Sequence, residues 1–308
     1  MNHAALLILV CAVAPLTAAD PPYLGMWQED THADDLMHLE PARVTFQSPG
    51  EAPQYFCAAY DPDGLIWIRN CQIYDTVKVK FTGDRLEIVA GGYGTYHRLA
   101  TVVPGLETAA FTIPADKPVN DDRKAAIIAE VAKRAATAQA VHHDPVHGLY
   151  LCPADADNEA WIKTVITEVG WPDAGRFGRE TAANVFMFVE HSNDLPLMLG
   201  ALPCIEKDLP SQAVKAQDYA TLFDYVLMQS GRPQRYGTQI IHDEYNHPAV
   251  WFLEDRAQVE QIRNDHGLIP LVAYLQIVGN VTGTTIGYMD HVRFDLSLKN
   301  KAAETTHQ

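Results

Sequence analysis

The spacing of apolar residues changes once along this chain, and the change divides it into two parts. Up to about residue 113, short segments alternate apolar and polar residues, as in VKVKF at 77–81. Beyond Asn120, apolar residues recur every three or four positions, as at Ile128, Val131 and Ala135. A period of two is that of a β-strand and a period of 3.6 that of a helix. The sequence therefore predicts an α+β multidomain protein, with a small N-terminal antiparallel β-barrel and a mainly α-helical C-terminal domain.

Turn residues divide the β part into several short strands, and two of its segments are distinctive. Gly25-Met26-Trp27 and Tyr96-His97-Arg98 resemble the first and last strands of small bacterial lipocalin-like domains. A ligand-holding lipocalin barrel needs about eight strands and more chain than this part supplies. We therefore expect a barrel that is filled by its own side chains and serves as a folding or docking module, with ligand binding inside it as the alternative.

The helical part begins after a Pro-rich linker at 114–119, with Asn120 as the predicted N-cap of its first helix. Gly170, Gly231 and Gly267 each follow an apolar-periodic segment, where a left-handed residue commonly ends a helix. We predict about six helices, and then a β-hairpin made by 284–288 and 292–296. The helical segments predicted after the first lie at 158–169, 180–190, 196–207, 212–229, 256–266 and 271–278.

Residues 1–19 have the pattern of a signal peptide. An apolar run at 4–14 precedes the small residues Thr17 and Ala19, which places cleavage before Asp20. The run is far shorter than the roughly 20 residues that span a bilayer. We therefore expect a secreted or periplasmic protein without a membrane span. The predicted organisation is a signal peptide at 1–19, the β domain at 20–113, a linker at 114–119, the helical domain at 120–279 and a C-terminal hairpin and tail at 280–308.

Charge excludes one class of partner. The chain carries 39 Asp and Glu against 23 Lys and Arg, a formal net charge of −16. Binding to nucleic acid depends on clustered basic residues, so we predict no nucleic-acid partner. The sequence does not determine the oligomeric state.

Four cysteines remain after the signal peptide, an even number in a chain predicted to reach an oxidising compartment. We predict disulfides that join Cys57 to Cys71 and Cys152 to Cys204, because each pair then stays within one domain. Four free thiols are the alternative.

The helical part also carries a series of polar and glycine motifs. They are Gly170-Trp171-Pro172, His191, Asp224, Gln234-x-Tyr236-Gly237-Thr238-Gln239 and Arg263-x-x-x-Gly267-Leu268. Over about 155–274 this series resembles the bacterial domain-of-unknown-function family 6624. The resemblance implies a shared helical fold and a shared polar site, and it brings no activity with it. Family members usually have Asp-Arg where this chain has Asp224-Tyr225.

Three residues of the series, or next to it, are candidates for catalysis. His191 lies at the end of an apolar helix, where the helix dipole and nearby Asp194 favour its charged form, and it suits a general acid or base. The alternative is that His191 caps the helix and anchors the loop through Asp194. For Asp224, orienting the following loop through backbone N–H groups is the stronger interpretation.

Neutral side chains in the following loop are candidates for binding substrate. Gly237 allows close approach of a ligand, and the loop's donors and acceptors suit a sugar, peptide or amide. The alternative is a structural loop. The predicted substrate-binding residues are Trp171, Gln234, Tyr236, Thr238 and Gln239.

No cofactor is predicted, although a divalent metal is an alternative. His242 and His247 combine imidazole with nearby carboxylates at short spacing, as zinc accepts, and 142–147 has a similar composition. No serine-hydrolase, phosphate-loop or dinucleotide motif occurs.

Two functional hypotheses follow from the sequence. The first is a cell-envelope protein that binds a small molecule, glycan or peptide. The second is a hydrolase or transferase with His191 as acid or base and residues 236–239 holding substrate. The second requires His191, Asp224 and Gln239 to converge on one cleft.

Overall fold

Eight short antiparallel strands form the N-terminal part of the computed structural model, which describes residues 24–40, 43–60, 65–69, 74–90, 94–100, 109–142, 153–242 and 247–289. Each strand pairs with the next, and the last pairs with the first, so the barrel is closed. The strands are β1 Gly25–Glu29, β2 Leu36–Glu40, β3 Arg43–Gln47, β4 Gln54–Tyr60, β5 Leu65–Arg69, β6 Tyr74–Thr82, β7 Arg85–Ala90 and β8 Thr95–Arg98.

The segments 25–27 and 96–98 meet where the barrel closes. Trp27 on β1 is paired with Arg98 on β8, and the Arg98 guanidinium lies 4.4 Å from the centroid of the Trp27 ring. Arg98 also donates a 2.7 Å hydrogen bond to the Leu24 carbonyl. Gly25 has φ +134°, and a Cβ there would lie 2.7 Å from Arg98 Nη1. The positive φ favours glycine here, and a larger residue would also displace the end of the Arg98 side chain.

The barrel interior is filled by its own side chains. Trp27, Met37, Val44, Phe56 and Leu86 belong to one buried cluster inside it. The filled interior was predicted, but the expectation that so short a segment could not supply eight strands is wrong. Strands of four to nine residues are enough, because an eight-stranded barrel is only wide enough for side chains to fill it.

The C-terminal part contains eight α-helices among the described residues, with the largest cluster of buried apolar side chains between the first six. Asn120 caps the first helix, as predicted, by accepting a 2.8 Å hydrogen bond from Arg123 N. Gly170, Gly231 and Gly267 have the predicted positive φ angles, between +66° and +84°. The helices are α1 Asp121–His142, α2 Pro153–Val169, α3 Ala174–Phe177, α4 Arg179–Glu190, α5 Leu195–Asp208, α6 Ala216–Gln229, α7 Val259–Asp265 and α8 Leu271–Thr282.

A three-stranded sheet interrupts the helices, which the sequence did not predict. Strands β9 Ile240–His242 and β10 Pro248–Val250 are antiparallel, and β11 Gly287–Tyr288 pairs parallel with β10. The predicted C-terminal hairpin is therefore only partly tested. Its first strand pairs with β10, and its second, 292–296, lies outside the described residues.

The outer face of the barrel packs against the helical domain. Val44 and Phe56 point into the barrel, so the alternating neighbours Arg43, Thr45 and Cys57 point outward, yet all three are buried. Cys57 packs in one cluster with Met228, Trp251 and Phe252 of the helical part. Arg69 on β5 donates a hydrogen bond to the His242 carbonyl. The barrel thus supports the segment that runs from the end of α6 to β10.

The disulfides predicted from the sequence are not shown. Cys57 and Cys204 are free cysteines, and their predicted partners, Cys71 and Cys152, lie outside the described residues. Burial raises the pKa of the Cys57 thiol to about 12, so a free Cys57 is protonated and unreactive at neutral pH.

No helix in the described part of the chain is both long and apolar enough to cross a bilayer.

Candidate functional site

Asp224 on α6 is fully buried and organises the loop that follows its helix. Its carboxylate accepts hydrogen bonds from Arg235 N at 2.8 Å, Tyr236 N at 3.0 Å and Thr238 N at 2.9 Å. The Thr238 hydroxyl donates a further one at 2.9 Å. Burial raises the pKa of Asp224, and these hydrogen bonds oppose the rise. The contacts are those of a residue that positions a loop.

Arg263 on α7 complements Asp224, because it donates a hydrogen bond to a carbonyl of the same loop. Its guanidinium is fully buried and donates to the Tyr236 carbonyl at 2.6 Å and to the Ile269 carbonyl at 2.8 Å. The Tyr274 hydroxyl on α8 donates to the Thr238 carbonyl at 3.3 Å. The carboxylate therefore takes the loop's N–H groups while the guanidinium and a phenol take its carbonyls. We call residues 234–239 the clamped loop.

Gln234 fastens the clamped loop to the segment that packs on the barrel. Its side chain accepts from Gln239 N at 2.7 Å and donates to the carbonyls of Gln239 at 3.0 Å and Trp251 at 2.9 Å. The Gln239 amide in turn donates to the Thr221 carbonyl at 2.9 Å. Gln234 and Thr238 are buried, so the amide and hydroxyl groups that suited a substrate are used within the fold.

Trp171 and Gly237 also have structural surroundings. Trp171 belongs to the buried core of the helical domain. Gly237 has φ +77°, and a Cβ there would lie 2.9 Å from Leu271 Cδ1. This glycine lets the loop pack against α8, whereas the sequence suggested an approach to ligand.

His191 ends α4 in a second polar region, which is only partly buried. Its side chain is 32% exposed, and Nδ1 lies 3.7 Å from Asp155 Oδ1 on α2. Asp194 instead caps α5, with Oδ1 accepting from Leu197 N at 2.7 Å, and its other oxygen pairs with Lys163. Asp155, rather than Asp194, is the carboxylate that the structure pairs with His191.

Glu159 completes this region by bridging α2 and the α4–α5 loop. It lies 3.2 Å from Lys163 Nζ, and its Oε2 accepts from Ser192 Oγ at 3.1 Å and from Asn193 N at 3.2 Å. We call this region the His191 corner. It consists of Asp155, Glu159, Lys163, His191, Ser192 and Asp194.

The predicted site residues thus fall into separate groups. Asp224 is brought together with Gln234, Tyr236, Thr238 and Gln239 of the clamped loop, whose partners lie on α6, on α7, on α8 and directly after β10. His191 and Asp194 contact α2, and Trp171 lies in the core. A cavity of about 320 Å³ lies elsewhere, between α8 and residues 284–288, and is lined by Leu275, Ile286 and Tyr288 among others.

The alternative metal ligands His242 and His247 lie on exposed positions at the end of the β9–β10 pair, where His242 is opposite Pro248. The residues between them, 243–246, lie outside the described ranges, as do 143–147 of the other histidine segment. Within the part of the chain that the structure describes, no group of three His, Cys, Asp or Glu side chains could hold a metal ion.

The sequence did not indicate several residues of these regions as parts of a site. Arg263 was recognised only as part of a motif, although it makes half of the clamp. Asp155, Glu159 and Lys163 were not singled out, but their spacing of four puts them on one face of a helix and could have indicated a polar face. Nothing in the local sequence shows that this face meets His191, because 28 residues or more separate them.

Together the fold and these regions define a two-part protein in which a filled eight-stranded barrel packs against a helical part with a buried polar clamp. Residues 119–286 match the model of a family of unknown function, DUF6624. The match covers more than half of the chain, and the protein belongs to that family, as the motifs indicated. No curated protein and no solved structure matches the chain.

Proposed function

We propose that this is an exported binding protein of the bacterial cell envelope, in which the helical domain recognises the ligand and the barrel supports it. The observation that carries the proposal is the clamped loop. Asp224 receives four hydrogen bonds from the loop, and a carboxylate so engaged, without a path to solvent, is poorly placed to exchange protons with a substrate. The clamp instead fixes the backbone in one conformation, and such preorganisation favours binding.

The barrel's part in this proposal is mechanical. Its interior is occupied by its own side chains, and its outer face is buried against Met228, Trp251 and Phe252. Gln234 bonds the Trp251 carbonyl, so the barrel contact and the clamped loop share one connection. A barrel used in this way holds the recognition surface rather than the ligand.

Export and the disulfides belong to the same proposal. The pattern of 1–19 is that of a signal peptide. The proposal keeps the pairing of Cys57 with Cys71, because an even number of cysteines follows the signal peptide and this pair stays within the β part. Disulfides form in the compartment that the signal peptide implies.

The experiment uses the full-length gene expressed in a bacterium with tagged protein recovered from each fraction. We expect a mature chain that starts near Asp20 in the periplasm or medium, with its mass reduced by two hydrogen atoms for each disulfide. The purified protein should cosediment with isolated cell envelopes. Protein that stays uncleaved in the cytoplasm, or that remains in the supernatant with envelopes present, would contradict the proposal.

One observation favours the second hypothesis, a hydrolase or transferase. His191 is partly exposed, and Asp155 lies 3.7 Å from its Nδ1, so a carboxylate lies next to a histidine, the side chain most often used in acid–base catalysis. A panel of chromogenic esters, phosphates and glycosides tests it, with His191→Ala as the matched variant. Turnover that disappears in the variant would replace the binding proposal with an enzymatic one.

A further inference from the structure

Helix α8 carries most of the large apolar side chains that are exposed in the described part of the chain. Val272, Ile277 and Val281 are 56%, 55% and 83% exposed, and Ile269, two residues before the helix, is 44% exposed. Clustered apolar exposure of this kind marks a contact with another segment or partner. Val272 also lines the cavity of about 320 Å³ beside the helix, so the exposed apolar surface continues into the cavity.

Strand β11 forms the opposite wall of this cavity. Among the described strands it pairs with β10 alone. Met289 N donates to the Val250 carbonyl of β10 at 2.9 Å, and the backbone groups of successive residues point to opposite edges of a strand. The N–H and C=O of Tyr288 therefore point away from β10. Since the side chains of Ile286 and Tyr288 line the cavity, a strand added at this edge also covers the cavity.

The chain that follows β11 has the sequence pattern of one more strand. Residues 292–298, which we call the C-terminal segment, read VRFDLSL, and this alternation of apolar and polar residues is typical of a strand with one buried face. A three-residue connection is common in hairpins, and it puts Val292 opposite Tyr288 and Phe294 opposite Ile286. Residues directly opposite each other in an antiparallel pair have their side chains on the same face. In this register the segment's apolar side chains face the cavity.

We propose that the C-terminal segment docks on this surface as a strand antiparallel to β11, with its apolar side chains over the cavity and α8. Seven extended residues span about 23 Å, and the 12 residues of α8 span about 18 Å, so the segment is long enough to cover the helix. The docked strand also shields a sheet edge that could otherwise pair with another chain.

The chain's own segment is favoured over a second copy because of its attachment. A connection of three residues gives it an effective concentration at the β11 edge of about millimolar or more, which a separate molecule does not reach. The docked segment supports α8, and α8 holds the clamped loop through the hydrogen bond from the Tyr274 hydroxyl to the Thr238 carbonyl. The C-terminal segment thus stabilises the clamped loop from behind α8.

Hydrogen exchange measured on the full mature protein tests the docking. The amides of Val292 and Phe294 should exchange at least about 10-fold more slowly than in a free peptide of the same sequence, because pairing with β11 protects them. Val272→Asp and Ile277→Asp are matched variants, since the two side chains are almost equally exposed but only Val272 lines the cavity. Val272→Asp should restore the peptide rate, because it puts a charge beneath the strand, and Ile277→Asp should leave the protection unchanged.

A second pair of variants lies on the segment itself. Phe294→Ser should abolish the protection of Val292, whereas Asp295→Ser, on the opposite face of the strand, should keep it. Exchange at the peptide rate in the wild-type protein would overturn the docking, and equal effects of Val272→Asp and Ile277→Asp would overturn its position over the cavity. Protection that falls on dilution, together with a dimer mass in sedimentation, would show that a second copy supplies the strand.

Discussion

The clamped loop and the His191 corner are both rich in polar side chains, yet they differ in what those side chains do. In the clamped loop, Asp224 and Arg263 are fully buried and bond the loop's own backbone. In the His191 corner, Lys163, His191 and Asp194 remain between one fifth and one third exposed. The first region is an internal framework, and the second is a surface network of ion pairs and a helix cap.

The contrast shows that a motif's chemistry is not evident from its residue types. Asp224, Thr238 and Gln239 have the composition of a substrate-binding loop, but burial directs their polar groups to the backbone, where an unsatisfied N–H would be costly. The comparison leads to three predictions, from the largest expected effect to the smallest.

Removing one carboxylate from each region tests most directly whether the two regions contribute differently to stability. Asp224→Ala leaves three backbone N–H groups and a hydroxyl without their acceptor in a buried place, and should lower the free energy of unfolding by about 3 to 5 kcal/mol. Asp194→Ala removes an N-cap and a partly exposed ion pair, and should cost about 1 kcal/mol. Urea denaturation of both variants measures the difference, and equal losses would show that the two regions are not distinct in kind.

Two glycines with the same backbone conformation test whether the barrel packs closely against the end of α6. Gly231 and Gly267 have φ +66° and +68°, but a Cβ on Gly231 would lie 2.7 Å from Phe56 N on β4, whereas one on Gly267 would meet nothing within 4 Å. Gly267→Ala should therefore cost only the left-handed conformation, about 1 kcal/mol. Gly231→Ala should cost about 2 kcal/mol or more, because the added Cβ also pushes the end of α6 away from the backbone of β4.

Thermal unfolding of the two glycine variants compares these costs. A Gly231→Ala variant no less stable than Gly267→Ala would mean that the barrel does not press against the end of α6 in solution.

The smallest expected effect is a pH-dependent gain in stability when Glu190, which directly precedes His191, is replaced. Burial and the charge of Asp218 raise the pKa of this carboxyl. A carboxyl with a higher pKa in the folded state binds its proton more tightly there, so its contribution to stability falls as pH rises above the unfolded value near 4.5. Glu190→Gln removes that penalty and should raise stability at pH 7 by about 0.5 kcal/mol.

The gain from Glu190→Gln should disappear below about pH 4, where the carboxyl is protonated in both states. Denaturation at pH 4 and pH 7 checks it, with Glu180→Gln, an exposed carboxyl on the same helix, as the control. A gain that is the same at both pH values would show that ionisation of Glu190 is not its cause.

Much of the fold could be predicted because it depends on local patterns. The change of period near Asn120, the cap at Asn120 and the left-handed glycines are consequences of nearby sequence alone. The short α3 and the strands β9 and β10 were missed, because a strand of three residues has no measurable period and depends on its pairing partner. The strand at β11 was predicted, but its pairing with β10 was not. β11 pairs with a strand about 40 residues earlier, which no local rule detects.

The sequence by itself determined that a β part precedes a helical one, that left-handed glycines follow several helices, and that residues 236–239 form a loop. These features follow from periodicity and from motifs whose geometry is local. Only the tertiary structure decided that Trp27 and Arg98 meet where the barrel closes, that Asp224 and Arg263 hold this loop, and that Asp155 is the partner of His191. Such contacts join separate elements, and they depend on which faces of those elements are buried together, which the order of residues along one chain does not contain.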